Sequence, residues 1–171
     1  IAIYARRGEI IIRITAKCME VNEAKTLIAA MEALVNTRLK QFIYGTDDET
    51  LASYLGKELL RTESTIAFAE SCTGGLASSL VTDVPGSSEY LLGSAVTYSN
   101  MAKHKLINVS EESLEAYGAV SWQVACEMAQ GVRELFGTTY GVGITGIAGP
   151  GGATEDKPVG WYIWLLPMLT A

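Results

Sequence analysis

The chain contains 171 residues, of which 49% are hydrophobic and 19% charged, a composition typical of globular proteins rather than disordered, collagenous or coiled-coil chains. Thirteen Lys and Arg residues against nineteen Asp and Glu residues give a formal net charge of −6, which argues against a broad basic face for nucleic acid. No apolar run reaches the ~20 residues of a membrane helix, and no signal peptide is recognisable. We therefore expect a cytoplasmic protein that binds neither nucleic acid nor a membrane.

The first part of the chain predicts a small α+β element. Gly8 is placed to turn a hairpin into a half-buried strand, whose apolar residues alternate on one face: Ile10, Ile12 and Ile14. Asn22 is a good N-cap for the amphipathic helix that follows, over about 22–40.

A polar cluster then divides the chain into this element, residues 1–46, and a larger domain, residues 47–171. Within the cluster, Asp47 or Asp48 is suited to capping a helix over about 49–61, because acidic groups favour the positive end of a helix.

Strands and helices alternate through the larger domain. Strands are predicted at about 65–69, 93–98, 140–144 and 160–166. Helices are predicted up to Val81, from Ser110, and from Ser121 to about Phe136. This alternation predicts an α/β fold, a three-layer α/β/α sandwich in which the loops after the strand ends form the active face.

The stretch Glu70-Ser71-Cys72-Thr73-Gly74-Gly75 places hydroxyls and glycines where a strand runs into a helix. Free N–H groups there can hold a phosphate or a developing oxyanion, and glycine lets a substrate approach the backbone. The structural alternative is that Ser71 or Thr73 caps the helix while the glycines serve close packing. Glu70 is placed to hold either a loop N–H group or a ligand hydroxyl.

A second glycine-rich loop follows the strand at 140–144. Its four glycines are Gly146, Gly149, Gly151 and Gly152. A surface turn does not need so many, and two such loops on one face of a sheet predict a polar cleft.

Hydrolysis in such a cleft would need a nucleophile and a base. The single histidine, His104, lies in a polar stretch typical of a solvated surface, which disfavours a Ser-His-Asp triad. A serine and lysine arrangement is a better candidate, since a desolvated lysine holds its proton less tightly and can accept one from a serine such as Ser71. Lys103 lies just past a predicted strand and is the candidate lysine, with a solvated surface position as the structural alternative. Tyr98 follows the same strand as Lys103 and can reach the same site. Cys72 is a rival nucleophile, although without a nearby histidine it is better suited to packing.

The three cysteines, Cys18, Cys72 and Cys126, are widely spaced and form no Cys-x-x-Cys pair. This spacing argues against a disulfide framework and against a Cys/His zinc site.

These residues resemble the CinA family, the competence/damage-inducible proteins, and in particular their C-terminal domain. Residues 1–46 resemble the small KH-like domain that precedes it, without the Gly-x-x-Gly clamp of RNA-binding KH modules. The stretches that carry the resemblance of the larger domain are 69–75, 97–103, 118–121, 143–152 and 157–160.

The resemblance implies hydrolysis of the carboxamide of nicotinamide mononucleotide to the acid and ammonia, without metal or cofactor. It implies that Ser71 is the nucleophile and Lys103 its base, with Tyr98 and Thr145 as helpers in the site. The substrate-binding residues that we expect are Glu70, Thr73, Gly74, Gly75, Asn100, Gly146, Gly149, Gly151 and Gly152.

The alternative hypothesis is a non-catalytic nucleotide-binding or assembly module that uses the same glycine loops. The resemblance fades after Gly160, where the family continues into a strand and a helix bearing an arginine that contributes to the site. We therefore expect the activity of this chain to be impaired. An uncovered apolar end also makes homo-oligomer formation an option.

Overall fold

The computed structural model describes residues 1–6 and 8–166. Contacts within the chain divide it into two units, the first from Ile1 to Glu49 and the second from Thr50 onward. None of the described helices is both long and apolar enough to cross a membrane.

The first unit contains an antiparallel hairpin and one long helix. Strand β1 (Ala2–Arg6) pairs with β2 (Glu9–Arg13), and Gly8 between them has a φ of +81°, as the predicted turn requires. Helix α1 spans Val21–Leu39 and is followed by a 3₁₀ turn. The prediction of Asn22 as the N-cap is wrong, because the helix begins one residue earlier, after Glu20, without a side-chain cap.

The second unit begins with helix α2 (Leu51–Arg61), whose start is fixed by Thr50. The Thr50 hydroxyl accepts from the Ser53 N–H at 3.1 Å, and the Ser53 hydroxyl accepts from the Thr50 N–H at 2.9 Å. This reciprocal capping box satisfies two backbone donors at once, so the predicted cap at Asp47 or Asp48 is wrong.

A four-stranded mixed sheet forms the centre of the second unit, in the order β4-β3-β5-β6. β3 runs parallel to both of its neighbours, and β6 is antiparallel to β5. The strands are β3 (Ile66–Glu70), β4 (Leu91–Val96), β5 (Tyr140–Gly146) and β6 (Tyr162–Leu165).

β5 continues through a loop into β6, and it is β3 and β4 that are followed by helices. Ser110 and Ser121 cap two of them through their hydroxyls, as predicted. The helices after α2 are α3 (Leu76–Thr82), α4 (Asn100–Ile107), α5 (Glu111–Tyr117), which Ser110 caps, and α6 (Trp122–Phe136), which Ser121 caps.

The core lies on both faces of β3, all of whose residues are buried. On one face Ala67 and Ala69 pack against α6. On the other face Ile66 and Phe68 pack with residues of α2 and α3. Helices therefore cover the sheet on both sides, which confirms the predicted three-layer α/β/α fold.

Candidate functional site

Three loops meet at one edge of the sheet of the second unit. β3 runs directly into Ser71, β4 runs into Thr97, and β5 runs into the second glycine loop. Because β3, β4 and β5 are parallel, their carboxyl ends lie at the same edge, where open α/β sheets bind ligands.

Ser71 and Lys103 meet at this edge, although they are far apart in sequence. The Lys103 Nζ lies 2.9 Å from the Ser71 Oγ and also donates to the carbonyls of Thr97, at 2.8 Å, and Tyr98, at 3.3 Å. The Lys103 side chain is almost fully enclosed, with 1% of its surface exposed. The structure thus brings together the serine and the lysine that the sequence suggests as a pair.

The backbone around Ser71 is held by the sheet on both sides. The Ser71 N–H donates to the Ile144 carbonyl at 3.0 Å, and the Thr97 N–H donates to the Glu70 carbonyl at 2.8 Å. These bonds continue the ladders of β3 one step beyond the strand. The serine is therefore placed by rigid elements rather than by a free loop.

Burial lowers the pKa of Lys103 below its ordinary value, because a charged amine loses its hydration in the interior. Among the described residues, Lys103 takes part in no ion pair. A neutral amine at this position donates its two protons to the carbonyls of Thr97 and Tyr98. Its lone pair then faces the Ser71 hydroxyl and can accept that proton.

Glu70 caps the start of α3. Its carboxylate accepts from the N–H groups of Gly75, Ala77 and Ser78 at 3.1, 3.0 and 2.9 Å, and from the Ser78 hydroxyl at 2.8 Å. Burial alone would raise the pKa of Glu70, but these hydrogen bonds outweigh it and hold the pKa below its ordinary value. Of the two roles open to Glu70, the structure gives it the loop N–H groups.

The N–H groups of the first glycine loop already have acceptors within the chain. The Gly75 N–H donates to Glu70, and the Gly74 N–H donates to the Ser71 carbonyl at 3.1 Å. This corrects the expectation that Gly74 and Gly75 offer free backbone donors to a ligand. Their φ angles of +61° and +100° show instead that they are needed for the turn itself.

The other residues expected at the site differ in their placement. The Tyr98 ring is 75% exposed, and it is the carbonyl of this residue that holds Lys103. Asn100 is exposed at the first position of α4. Thr145 is buried, and its hydroxyl donates to the Ala119 carbonyl at 2.8 Å, which ties β5 to the loop before α6.

The Thr73 hydroxyl is enclosed near the Glu70 carboxylate and helps to lower the pKa of that group. It reaches no acceptor at full hydrogen-bond geometry among the described residues. Its contribution to a ligand site therefore remains a prediction.

The second glycine loop is closed at its base by backbone bonds. The Ile147 N–H donates to the Trp161 carbonyl at 2.9 Å, and the Gly160 N–H donates to the Ile147 carbonyl at 2.8 Å. The loop above this base is exposed, including Gly149, Gly151 and Gly152. Gly146 lies against Cys72, since a Cβ placed on it would lie 3.1 Å from the Cys72 Sγ.

The two rival catalytic side chains are poorly suited to the chemistry. Burial raises the pKa of the Cys72 thiol, which disfavours the reactive thiolate. The His104 ring bonds through Nδ1 to the Val109 carbonyl at 2.9 Å, at the end of its own helix. Among the described residues, no cluster of three or more His, Cys, Asp or Glu side chains could hold a metal ion.

Sequence reasoning missed two contributors to this site. The Thr97 carbonyl holds the Lys103 amine, and Ser78 gives both its N–H and its hydroxyl to Glu70. Thr97 could have been found from its position, because it follows a strand and lies two residues before Ser99, the N-cap of α4. No spacing rule indicates Ser78, because its contact with Glu70 depends on how α3 packs against β3.

The fold and the enclosed serine and lysine pair define an α/β domain with a polar site at the carboxyl edge of its sheet. Sequence comparison places the chain in a family. The CinA C-terminal domain matches residues 48–166, and the KH domain of the damage-inducible protein CinA matches residues 1–45. The chain belongs to the CinA family.

Two curated relatives illustrate the similarity. A competence-damage inducible protein of Moorella thermoacetica is 52% identical over 160 residues, and a CinA-like protein of Prochlorococcus marinus is 46% identical over the same length. Each alignment covers 94% of this chain but only 39% and 38% of the relatives. The chain therefore spans about two fifths of the length of these proteins.

Solved structures agree with the fold. The competence/damage inducible protein CihA of Agrobacterium tumefaciens has a TM-score of 0.69 and 37% identity, covering 74% of this chain and 77% of that one. A competence-damaged protein (CinA) superfamily protein of Escherichia coli has a TM-score of 0.63 and 30% identity, covering 80% and 87% of the two chains.

Proposed function

We propose that the second unit is an amidohydrolase that converts nicotinamide mononucleotide to nicotinate mononucleotide and ammonia. The observation that carries this proposal is the buried 2.9 Å contact between the Lys103 Nζ and the Ser71 Oγ. A lysine whose pKa burial has lowered, without an ion-pair partner among the described residues, is suited to act as a general base.

In the first half of the reaction, the neutral Lys103 amine takes the proton of the Ser71 hydroxyl as the Oγ attacks the carboxamide carbon. The C–N bond of the resulting tetrahedral species then breaks. Lys103 returns the proton to the departing nitrogen, which leaves as ammonia, and an ester remains on Ser71.

In the second half, water attacks the ester carbon while Lys103 accepts a proton from that water. The bond to the Ser71 Oγ breaks, and the Oγ takes the proton back from Lys103. The acid is released and both side chains return to their starting states, so that protons and bonds balance over the cycle.

The carbonyls of Thr97 and Tyr98 orient the amine throughout this cycle. They accept two of its protons in either charge state, so that only the third position is shared with Ser71. The substrate itself is inferred from the family resemblance, and the names of the relatives refer only to competence and damage.

The direct test is ammonia release from nicotinamide mononucleotide by the chain and its variants. We expect slow but measurable release, which Ser71→Ala and Lys103→Met reduce to the uncatalysed rate. Cys72→Ala is the matched control because it changes the neighbouring residue, and it should leave the rate unchanged.

A non-catalytic nucleotide-binding or assembly module is the alternative function. It would bind nicotinamide mononucleotide without ammonia release in the parent chain or in any variant. That result would overturn the proposed hydrolase.

A further inference from the structure

An open cavity lies in the second unit, between the loop after α5 and the segment before β6. Its volume is about 450 Å³, within the range of pockets that hold small ligands. Its walls include Tyr117, Trp122, Lys157, Trp161 and Ile163. None of these residues belongs to the serine and lysine pair.

Lys157 gives this cavity a positive charge. It is the one charged residue among the described residues that line the cavity, in a chain whose net charge is −6. Its Nζ donates to the Tyr117 carbonyl at 3.0 Å, and an ammonium group has three protons. Two donors therefore remain for an anionic ligand.

The surroundings strengthen this preference for an anion. α6 begins at the cavity with Trp122, so the positive end of its dipole faces the same space. The side chains of Trp122 and Trp161 are 60% and 45% exposed, and both line the cavity. They offer apolar surface to a sugar.

The cavity also lies at a suitable distance from Ser71. Ser71 bonds to Ile144 at the end of β5, and Ile163 of β6 pairs with the next residue of β5, Thr145. Since neighbouring strands lie about 4.8 Å apart, the wall formed by β6 is about 10 Å from β3, two strands away. This spacing between strands is of the same order as the length of a mononucleotide.

We propose that this cavity binds the phosphate-bearing end of the mononucleotide whose carboxamide lies at Ser71, with Lys157 as the phosphate ligand. This inference rests on the proposed function and adds the residue that selects a nucleotide over its nucleoside. The Thr145 hydroxyl supports the site indirectly by fixing Ala119 in the loop that leads into α6.

The test uses Ser71→Ala, which permits binding without turnover, and measures affinity by calorimetry for nicotinamide mononucleotide, nicotinamide riboside and inorganic phosphate. Adding Lys157→Met should weaken nucleotide binding about tenfold or more, the usual scale of a charge-assisted bond, and leave riboside binding within about twofold. Lys157→Arg should retain most of the affinity, and Lys105→Met, at an exposed lysine of α4, is the matched control.

Equal loss of nucleotide and riboside binding, or no loss of either, would overturn this assignment, as would the absence of any nucleotide binding by the Ser71→Ala chain. Weak binding of inorganic phosphate that Lys157→Met abolishes would support it. The readout is affinity, so a chain that binds as described but releases no ammonia would contradict the hydrolase alone.

Discussion

Lys103 has an unusual position for a lysine, because its amine is enclosed and hydrogen-bonded to a hydroxyl and two carbonyls rather than to a carboxylate. Burying a charged amine in this way costs free energy unless the group becomes neutral. A residue that the fold keeps at such a cost is more consistent with chemistry than with stability.

The lowered pKa of Lys103 predicts how the free energy of unfolding depends on pH. The pKa of Lys103 is lowered in the folded state, so between that pKa and the ordinary value of about 10.4 the unfolded chain binds more protons. The contribution of Lys103 to the free energy of unfolding should therefore rise with pH through this window. Urea denaturation from neutral to alkaline pH should show this rise in the parent relative to Lys103→Met. Parallel curves for the two proteins would contradict the lowered pKa.

Glu70 gives a dependence of the same sign, but in the acid range. Its pKa is lowered, so its contribution to stability is present above the unfolded value of about 4.3 and is lost as the pH falls through the folded value. Glu70→Gln should lower the free energy of unfolding at pH 7 by about 3 kcal/mol, because an amide cannot accept all four hydrogen bonds.

The difference between the Glu70→Gln protein and its parent should shrink in acid, as measured by denaturation at several pH values. Glu112→Gln, at an exposed position of α5, should show little change and serves as the control. A Glu70→Gln protein as stable as its parent at pH 7 would be inconsistent with the capping role.

For individual residues, the sequence predicted which side chains meet at the site better than it predicted which of their atoms make the contacts. The chemistry of desolvated lysine and the motif order both indicated Ser71 with Lys103, and the structure places these two side chains in contact. The sequence could not show that the Tyr98 carbonyl holds the Lys103 amine, since that depends on the turn between β4 and α4.

β5 packs closely against α6. Gly141 and Gly143 face α6, and a Cβ on Gly143 would lie 2.3 Å from the Ala125 carbonyl oxygen. The lack of side chains here lets the helix approach the strand, which sets the position of Thr145 two residues further on.

Gly143→Ala should therefore lower the free energy of unfolding by about 2 kcal/mol, since the new methyl meets backbone that cannot move aside easily. Gly151→Ala is the matched control, because nothing lies within 4 Å of its added Cβ and its φ is not positive. Thermal or urea denaturation compares the two. A Gly143→Ala protein as stable as the Gly151→Ala protein would argue against the close packing.

The elements that the sequence located best are those with strong hydrophobic patterns. The central strands and α6 are confirmed because burial imposes their periodicity. α4 was missed because its sequence is polar and its buried face includes Lys103. The errors at Asn22 and at Asp47 or Asp48 arose because several residues in each stretch could cap a helix, and only the fold selects among them.

The two units differ in how much of their secondary structure is buried. No residue of α1 is buried, although it spans 19 residues, whereas every residue of β3 is buried. Helices without buried contacts open readily, because their stability depends on tertiary packing.

Hydrogen exchange should reflect this difference. Amides of β3 and of the middle of α6 should exchange only with global unfolding of the second unit, while those of α1 should exchange orders of magnitude faster. Mass spectrometry of peptides from each element measures both rates in one experiment. Equal protection of α1 and β3 would contradict the described burial.

The proposed hydrolysis requires that Ser71, activated by Lys103, forms an ester with the substrate. The most direct measurement is the mass of the protein after rapid acid quenching of a reaction with nicotinamide mononucleotide, followed by peptide mapping. We predict an adduct on Ser71 with the mass of the substrate less ammonia, which Ser71→Ala abolishes. An adduct on Cys72, or ammonia release that persists in the Ser71→Ala protein, would contradict the account.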